Sequence, residues 1–160
     1  FAGKSYGDEV SDFRTGIELA RAWLRKQFGS RDEVKLTLLG QSLGASMAAD
    51  LATEYHPENT ILVAPAYSSL ESTNEPLLGA TTPKPDTLPE KLKRTNVTVI
   101  RGTNDPFIST LDAEAFIKYG GGVVEIPDAG HTFGQIPDLP GDAKNKRTEL
   151  IAAIVFADSQ

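Results

Sequence analysis

The chain of 160 residues contains no cysteine, and this absence excludes several kinds of chemistry. Disulfide bonds, thiolate metal sites and a cysteine nucleophile all require the missing residue. Histidine is scarce too: the chain has two, and neither stands at metal-ligand spacing from carboxylates. We expect a protein that works with no metal and no organic cofactor. Since reducing and oxidising compartments both tolerate a cysteine-free chain, the location stays open, with the cytoplasm favoured.

Net positive charge and long apolar runs are also lacking. The formal net charge of -6 argues against nucleic acid or an anionic membrane as the main partner, because both bind clustered Lys and Arg. No apolar run approaches the roughly 18 residues of a transmembrane helix, so we expect a soluble protein with no transmembrane segment. The chain begins at Phe1 and shows no signal peptide, and we expect its start to be processed or excised.

Two hydrophobic periods alternate along the chain. Apolar residues recur at helical spacing in four segments, and short apolar runs typical of buried strands stand between them. The predicted helices are 8–28, 43–55, 110–120 and 144–158, and the predicted strands are 34–39, 60–66, 96–102 and 122–127. This alternation predicts an α/β fold, a parallel sheet with helices on both faces, in one domain over residues 1–160. The Pro-rich segment 68–95 predicts a short cap or loop excursion.

The first candidate site residue follows the strand at 34–39, in the stretch LLGQSLGAS. Ser42 stands between Gly40 and Gly44, so a G-x-S-x-G motif lies between a predicted strand and a predicted helix. A strand that turns at once into a helix brings backbone segments close together, and we expect side chains at positions 40 and 44 to clash there. Such a turn holds the Ser42 hydroxyl out at its tip. The alternative is a plain loop in which Ser42 caps the helix.

Two further candidates lie after later strands. Asp105 follows the strand at 96–102 in the stretch GTNDPF, and His131 follows the strand at 122–127 in the stretch DAGHTFG. Alone, Asp105 is typical of a turn before proline, and His131 of a solvated loop. With Ser42 they give the order Ser, Asp, His, each at the carboxyl end of a separate strand, where open α/β sheets form their sites. That order is the one expected for the nucleophile, acid and base of an α/β-hydrolase.

These motifs resemble the α/β-hydrolase superfamily, of the serine hydrolase or esterase type. The resemblance is carried by LLGQSLGAS, VIRGTNDPF and IPDAGHTFG, and it matches the C-terminal half of that fold. It implies that Ser42 attacks a carbonyl carbon, that His131 moves the proton, and that Asp105 orients the imidazole. It also implies that the backbone N–H of Leu43 donates to the oxyanion, with a second donor from a loop that precedes Phe1. The substrate is then a small molecule with an acyl group: a carboxylic ester, a thioester or an amide.

Three alternatives stay open on the sequence alone. Glu71 follows the strand at 60–66, where some members of the superfamily carry the acid, and it is the second choice after Asp105. The chain could instead be a non-catalytic binding or structural piece of a hydrolase-like fold. The stretch GKS at residues 3–5 matches the end of a phosphate-binding loop, but the residues that follow it do not predict an immediate helix start.

The strand predicted at 34–39 is apolar on both faces, which matters for the edge of the sheet. The resemblance places earlier strands beyond it, upstream of Phe1, so in this chain its outer edge would stay open. An open apolar edge is a template for aggregation unless another strand pairs with it or covers it. We therefore expect an upstream segment, a second chain or a dimer partner to pair along residues 34–39.

Overall fold

Four parallel strands and three helices make up the part of the chain that the computed structural model describes, residues 5–29, 35–65, 92, 95–106, 121–134 and 145–159. The helices are α1 (Tyr6–Phe28), α2 (Leu43–Tyr55) and α3 (Arg147–Asp158), and the strands are β1 (Thr37–Gln41), β2 (Asn59–Val63), β3 (Asn96–Gly102) and β4 (Gly122–Ile126). The strands form one sheet in the order β1-β2-β3-β4. Helices lie on both faces, so the predicted α/β class is confirmed.

Most predicted elements within these residues lie close to their predicted positions. The helix over 43–55 and the strand over 96–102 have the predicted bounds, whereas β1 begins and ends later than the predicted 34–39. β2 ends at Val63, because Ala64 has a φ of 45°, a left-handed value that interrupts the extended backbone. The predicted helix 110–120 lies outside the described residues, as does most of the segment 68–95. None of the described helices is long and apolar enough to cross a membrane.

Each face of the sheet has its own apolar core. On one face, Ile17 of α1 and the inner side of α2 pack with Leu38 and Leu62. The inner side of α2 consists mainly of small residues, which let its backbone lie close to the strands: Ala45, Ala48, Ala49 and Ala52. On the other face, α3 packs Ala153 and Ala157 with Ile61, Ile100 and Phe133. α1 and α2 therefore share one face of the sheet.

α1 begins directly after Ser5, so the expectation that no helix starts there was wrong. The Ser5 Oγ accepts a hydrogen bond from the Asp8 N–H at 3.3 Å, and the Asp8 Oδ2 accepts one from the Ser5 N–H at 2.8 Å. This reciprocal capping box usually has Glu or Gln at its last position, and Asp8 takes that place here. Asp8 and Glu9 also bring negative charge to the first turn, which opposes a bound phosphate. Ser5 is thus a helix cap.

β1 is an edge strand of the described sheet, since its described neighbour is β2 alone. Its side chains alternate, with Leu38 buried and Leu39 45% exposed. Thr37, on the same side of the strand as Leu39, donates through its hydroxyl to Asp158 Oδ1 at the end of α3, at 2.7 Å. Leu39 therefore lies on the α3 face, and α3 leaves it partly open. Pairing of a further strand along residues 34–39 stays a prediction.

Tyr6 joins α1 to α2 through a contact that depends on pH. Its phenol is buried and donates to Asp50 Oδ2 at 2.9 Å. Burial, and next the Asp50 carboxylate, raise the pKa of Tyr6 above its ordinary value near 10. Because the folded pKa lies above the unfolded one, the stability that Tyr6 contributes is complete below about pH 10 and is lost as the pH rises further.

We expect Tyr6→Phe to lower the free energy of unfolding by about 1–2 kcal/mol at pH 8, because Asp50 loses this donor. Above about pH 10 the difference from the wild type should narrow, since only the wild type has an ionisable phenol at this position. Urea unfolding of both proteins at pH 8 and pH 11 measures the two differences. Equal differences at both pH values would contradict this account of Tyr6.

Candidate active site

The turn between β1 and α2 presents Ser42 at the carboxyl end of the sheet. Ser42 has φ 53° and ψ -122°, a backbone conformation that costs a non-glycine residue about 1–3 kcal/mol. Its N–H donates to the carbonyl of Val63 at 2.9 Å, and its own carbonyl accepts from the Ala45 N–H at 3.0 Å. The strained residue is thus held from β2 on one side and from α2 on the other.

The Ser42 hydroxyl is engaged away from the helix that follows it. It makes no capping hydrogen bond to α2, and its Oγ lies 2.9 Å from Nε2 of His131. A serine in a plain helix cap would direct its oxygen to the N–H groups of the first turn. The alternative of Ser42 as a simple helix cap is therefore wrong.

The two glycines of the motif differ in what they permit. A Cβ at Gly40 would lie 2.1 Å from the carbonyl oxygen of Gly44 and 2.4 Å from its carbonyl carbon, so only glycine fits. At Gly44 the expected clash was wrong: among the described residues, no atom lies within 4 Å of an added Cβ. The reason is that the Gly44 carbonyl faces Gly40, while the direction of a Gly44 side chain is open.

Asp105 and His131 lie in the loops that follow β3 and β4. The Asp105 Oδ2 is 2.9 Å from His131 Nδ1, and the Asp105 side chain is fully enclosed, at 0% exposure. The imidazole is 13% exposed. Because parallel strands end at the same edge of the sheet, these loops lie beside the Ser42 turn. The structure therefore brings Ser42, His131 and Asp105 into one row, whereas Glu71 lies outside the described residues.

This row has the order of groups that serine activation requires. When Asp105 is a carboxylate it can only accept, so His131 donates from Nδ1 and its Nε2 is left to accept from the Ser42 hydroxyl. Leu43 is the first residue of α2, and its N–H has no acceptor within the helix and lies at the positive end of the helix dipole. Among the described residues, no group of three His, Asp or Glu side chains is placed to hold a metal ion.

Gly102, beside the site, was not predicted from the sequence. It ends β3, and a Cβ there would lie 2.2 Å from the carbonyl oxygen of Ala129. This close approach brings the loop of Asp105 against the loop of His131. The available signal is a glycine at the end of an apolar strand, which often marks a site where another backbone approaches closely.

The sequence and the fold can be compared with those of known proteins. The pattern of the family described as serine hydrolase matches residues 8–135, more than half of the chain. The chain belongs to the serine hydrolase family. No curated protein is significantly similar to it in sequence.

Solved structures share the fold of this serine hydrolase at low sequence identity. The esterase domain of a Rhodothermus marinus protein superposes with a TM-score of 0.59 and 13% identity, over 88% of this chain and 64% of that one. XC6422 from Xanthomonas campestris, an α/β serine hydrolase without a lid, gives 0.55 and 19%, over 88% and 53%. A monoacylglycerol lipase from Paleococcus ferrophilus gives 0.61 and 11%, over 98% and 77%. The α/β-hydrolase-like fold is thus confirmed, and the chain spans less than two thirds of the first two structures.

Proposed function

We propose that the chain hydrolyses carboxylic esters, or the related thioesters or amides, through a triad of Ser42, His131 and Asp105. The observation that carries the proposal is the pair of 2.9 Å contacts, one from Ser42 Oγ to His131 Nε2 and one from His131 Nδ1 to Asp105 Oδ2. Membership of the serine hydrolase family supports it. The strained backbone of Ser42 supports it as well, because such strain persists where the surrounding structure fixes a functional group.

In the first half of the reaction, Ser42 Oγ attacks the carbonyl carbon of the substrate while His131 Nε2 takes the hydroxyl proton. Asp105 holds the imidazole through Nδ1 and stabilises its positive charge. The Leu43 N–H donates to the oxygen that becomes negative. His131 then gives its proton to the leaving group, and the acyl group stays on Ser42.

In the second half, a water molecule gives a proton to His131 Nε2 and attacks the acyl carbon. His131 then returns that proton to Ser42 Oγ as the bond between Oγ and the acyl carbon breaks, which releases the acid. The reaction needs no metal, so a chelator should leave the rate unchanged. It needs a neutral imidazole, because Nε2 has to accept the proton of the Ser42 hydroxyl. The short segment 68–95 favours an open site and acyl groups of modest size, which makes p-nitrophenyl acetate a suitable probe.

A fluorophosphonate probe tests the proposal directly, because it labels a serine whose hydroxyl is activated. We expect covalent labelling of the native protein at Ser42, located by mass spectrometry of the peptides, and no labelling after heat denaturation. Ser42→Ala should abolish the label. A folded wild type that stays unlabelled would refute the proposal and favour the alternative, a non-catalytic binding or structural piece of a hydrolase-like fold.

The identity of the acid can be tested with two isosteric changes. Asp105→Asn should lower the turnover of p-nitrophenyl acetate by up to about 10⁴-fold, because an amide favours the wrong imidazole tautomer. Glu71→Gln should leave turnover within about twofold of the wild type, and it serves as the control. Steady-state kinetics of both variants measure the effects. A silent Asp105→Asn together with an inactive Glu71→Gln would move the acid to Glu71.

A further inference from the structure

The loops that carry Asp105 and His131 are tied together by three hydrogen bonds just before those residues. The Thr103 N–H donates to the carbonyl of Ile126 at 3.1 Å, and the Asn104 N–H donates to the carbonyl of Ala129 at 2.9 Å. The third bond involves a side chain: the Asp128 N–H donates to Thr103 Oγ1 at 2.9 Å. Of these three bonds, the one made by the Thr103 hydroxyl can be removed by substitution without touching the backbone.

The turn at Asp128, which the Thr103 hydroxyl contacts, has a backbone conformation that hydrogen bonds must stabilise. Asp128 has a φ of 59°, in the left-handed region that non-glycine residues rarely adopt, although Asp and Asn tolerate it better than most. His131 lies three residues after Asp128. Its Nδ1 contacts Asp105 and its Nε2 contacts Ser42 at the same time. A small rotation of the turn about Asp128 would lengthen at least one of those two contacts.

The contact at Gly102 and the contact at Thr103 have different effects on the loops. The closeness of Gly102 to Ala129 fixes how near the two loops lie, but it leaves the N–H of Asp128 uninvolved. The Thr103 hydroxyl holds that N–H, and it fixes the rotation of the turn together with the backbone bonds at Ile126 and Ala129. Since both Thr103 and Asp128 are exposed, this contact adds no burial to the core.

We propose that Thr103 is a positioning residue of the triad: its hydroxyl holds the turn at Asp128 in the orientation in which His131 contacts Asp105 and Ser42 together. This inference rests on the proposed function, because it concerns the same three residues. Thr103 touches none of the reacting atoms and acts through the loop of His131.

The experiment compares Thr103→Val, which keeps the shape and loses the acceptor, with Thr103→Ser, which keeps the hydroxyl. Active molecules are counted by fluorophosphonate labelling, and kcat and KM for p-nitrophenyl acetate are measured per labelled site. Thr103→Val should lower kcat about 3- to 10-fold, the effect of one hydrogen bond, with KM within about twofold. Thr103→Ser should restore most of the rate. Thr15→Val, the same change at an exposed α1 hydroxyl bonded to the Ser11 carbonyl, should have no effect.

Three results would overturn the role of Thr103. The first is an unchanged kcat per labelled site in Thr103→Val, with as many labelled molecules as in the wild type. The second is a variant with fewer labelled molecules that each turn over at the full rate, which would make the contact a matter of folding alone. The third is a Thr103→Ser variant as slow as Thr103→Val. An unlabelled wild type would refute the proposed function itself, whereas a labelled wild type with any of these three results refutes only the inference.

Discussion

Ser42→Ala should reduce the hydrolysis of p-nitrophenyl acetate by about 10⁴- to 10⁶-fold, and His131→Ala should do the same. In the proposed mechanism, the first change removes the atom that forms the acyl-enzyme, and the second removes the base, whose Nε2 lies 2.9 Å from that atom. Because the two residues act as a unit, the double variant should be no worse than either single one. Initial rates at substrate saturation, with each variant at high concentration, measure losses of this size.

Ser46 offers a matched control for the serine substitution. It lies one turn further along α2, and its buried Oγ has no hydrogen-bond partner in the part of the chain that the structure describes. Ser46→Ala should therefore leave the rate unchanged and raise the free energy of unfolding by about 1 kcal/mol, since an unsatisfied hydroxyl is replaced by the best helix former. Wild-type turnover in Ser42→Ala, or an equal loss in Ser46→Ala, would show that Ser42 is not the nucleophile.

Among substitutions that add a single methyl group at the Ser42 turn, Gly40→Ala should cause the largest loss of stability and of activity. The added carbon would stand 2.1 Å from a backbone oxygen, so no side-chain rotation relieves the clash and the turn itself must move. We expect a loss of about 3 kcal/mol or more in the free energy of unfolding, at the upper end of overpacking effects. A displacement of Ser42 by about 1 Å would also lower the rate about 10²-fold in the molecules that stay folded.

Gly44→Ala tests whether the effect is specific to position 40. An added Cβ at Gly44 meets no described atom within 4 Å, and alanine is preferred to glycine in a helix by about 1 kcal/mol. Its free energy of unfolding in urea should equal or exceed that of the wild type. If both glycine variants unfolded at the same urea concentration, crowding at Gly40 would not explain a loss of stability in Gly40→Ala.

The parts of the fold that the sequence predicted well are those where one local signal dominates. The apolar run of β3 and the small-residue helix α2 have the predicted bounds, because each is buried on the sheet and bounded by turn residues. β1 was misplaced, because the strand runs on to Gln41, which lies opposite Val63 of β2, and the N–H of the next residue, Ser42, donates to the Val63 carbonyl. Register of this kind depends on the neighbouring strand and is absent from the local pattern.

The grouping of the three candidate residues could be predicted from the sequence, whereas the contacts that support them could not. Ser42, Asp105 and His131 stand out because each follows a strand, and a parallel sheet brings such positions together. The contact of Thr103 with Asp128 joins two loops that are 25 residues apart in sequence, and neither loop shows a periodic signal. The different roles of Gly40 and Gly44 depend on which way a backbone carbonyl faces, and a symmetric motif conceals that difference.

The position of α1 on the same face as α2 determines on which side of β1 a preceding parallel strand would lie. Two parallel strands joined through a helix form a right-handed crossover in about 98% of cases, so successive crossovers on one face advance across the sheet in one direction. The connection through α2 advances from β1 to β2 on this face. α1 leads into β1 on the same face, so any parallel strand that feeds into α1 lies on the far side of β1. We therefore predict that a parallel strand leading into α1 would pair along the outer edge of β1, on the side away from β2.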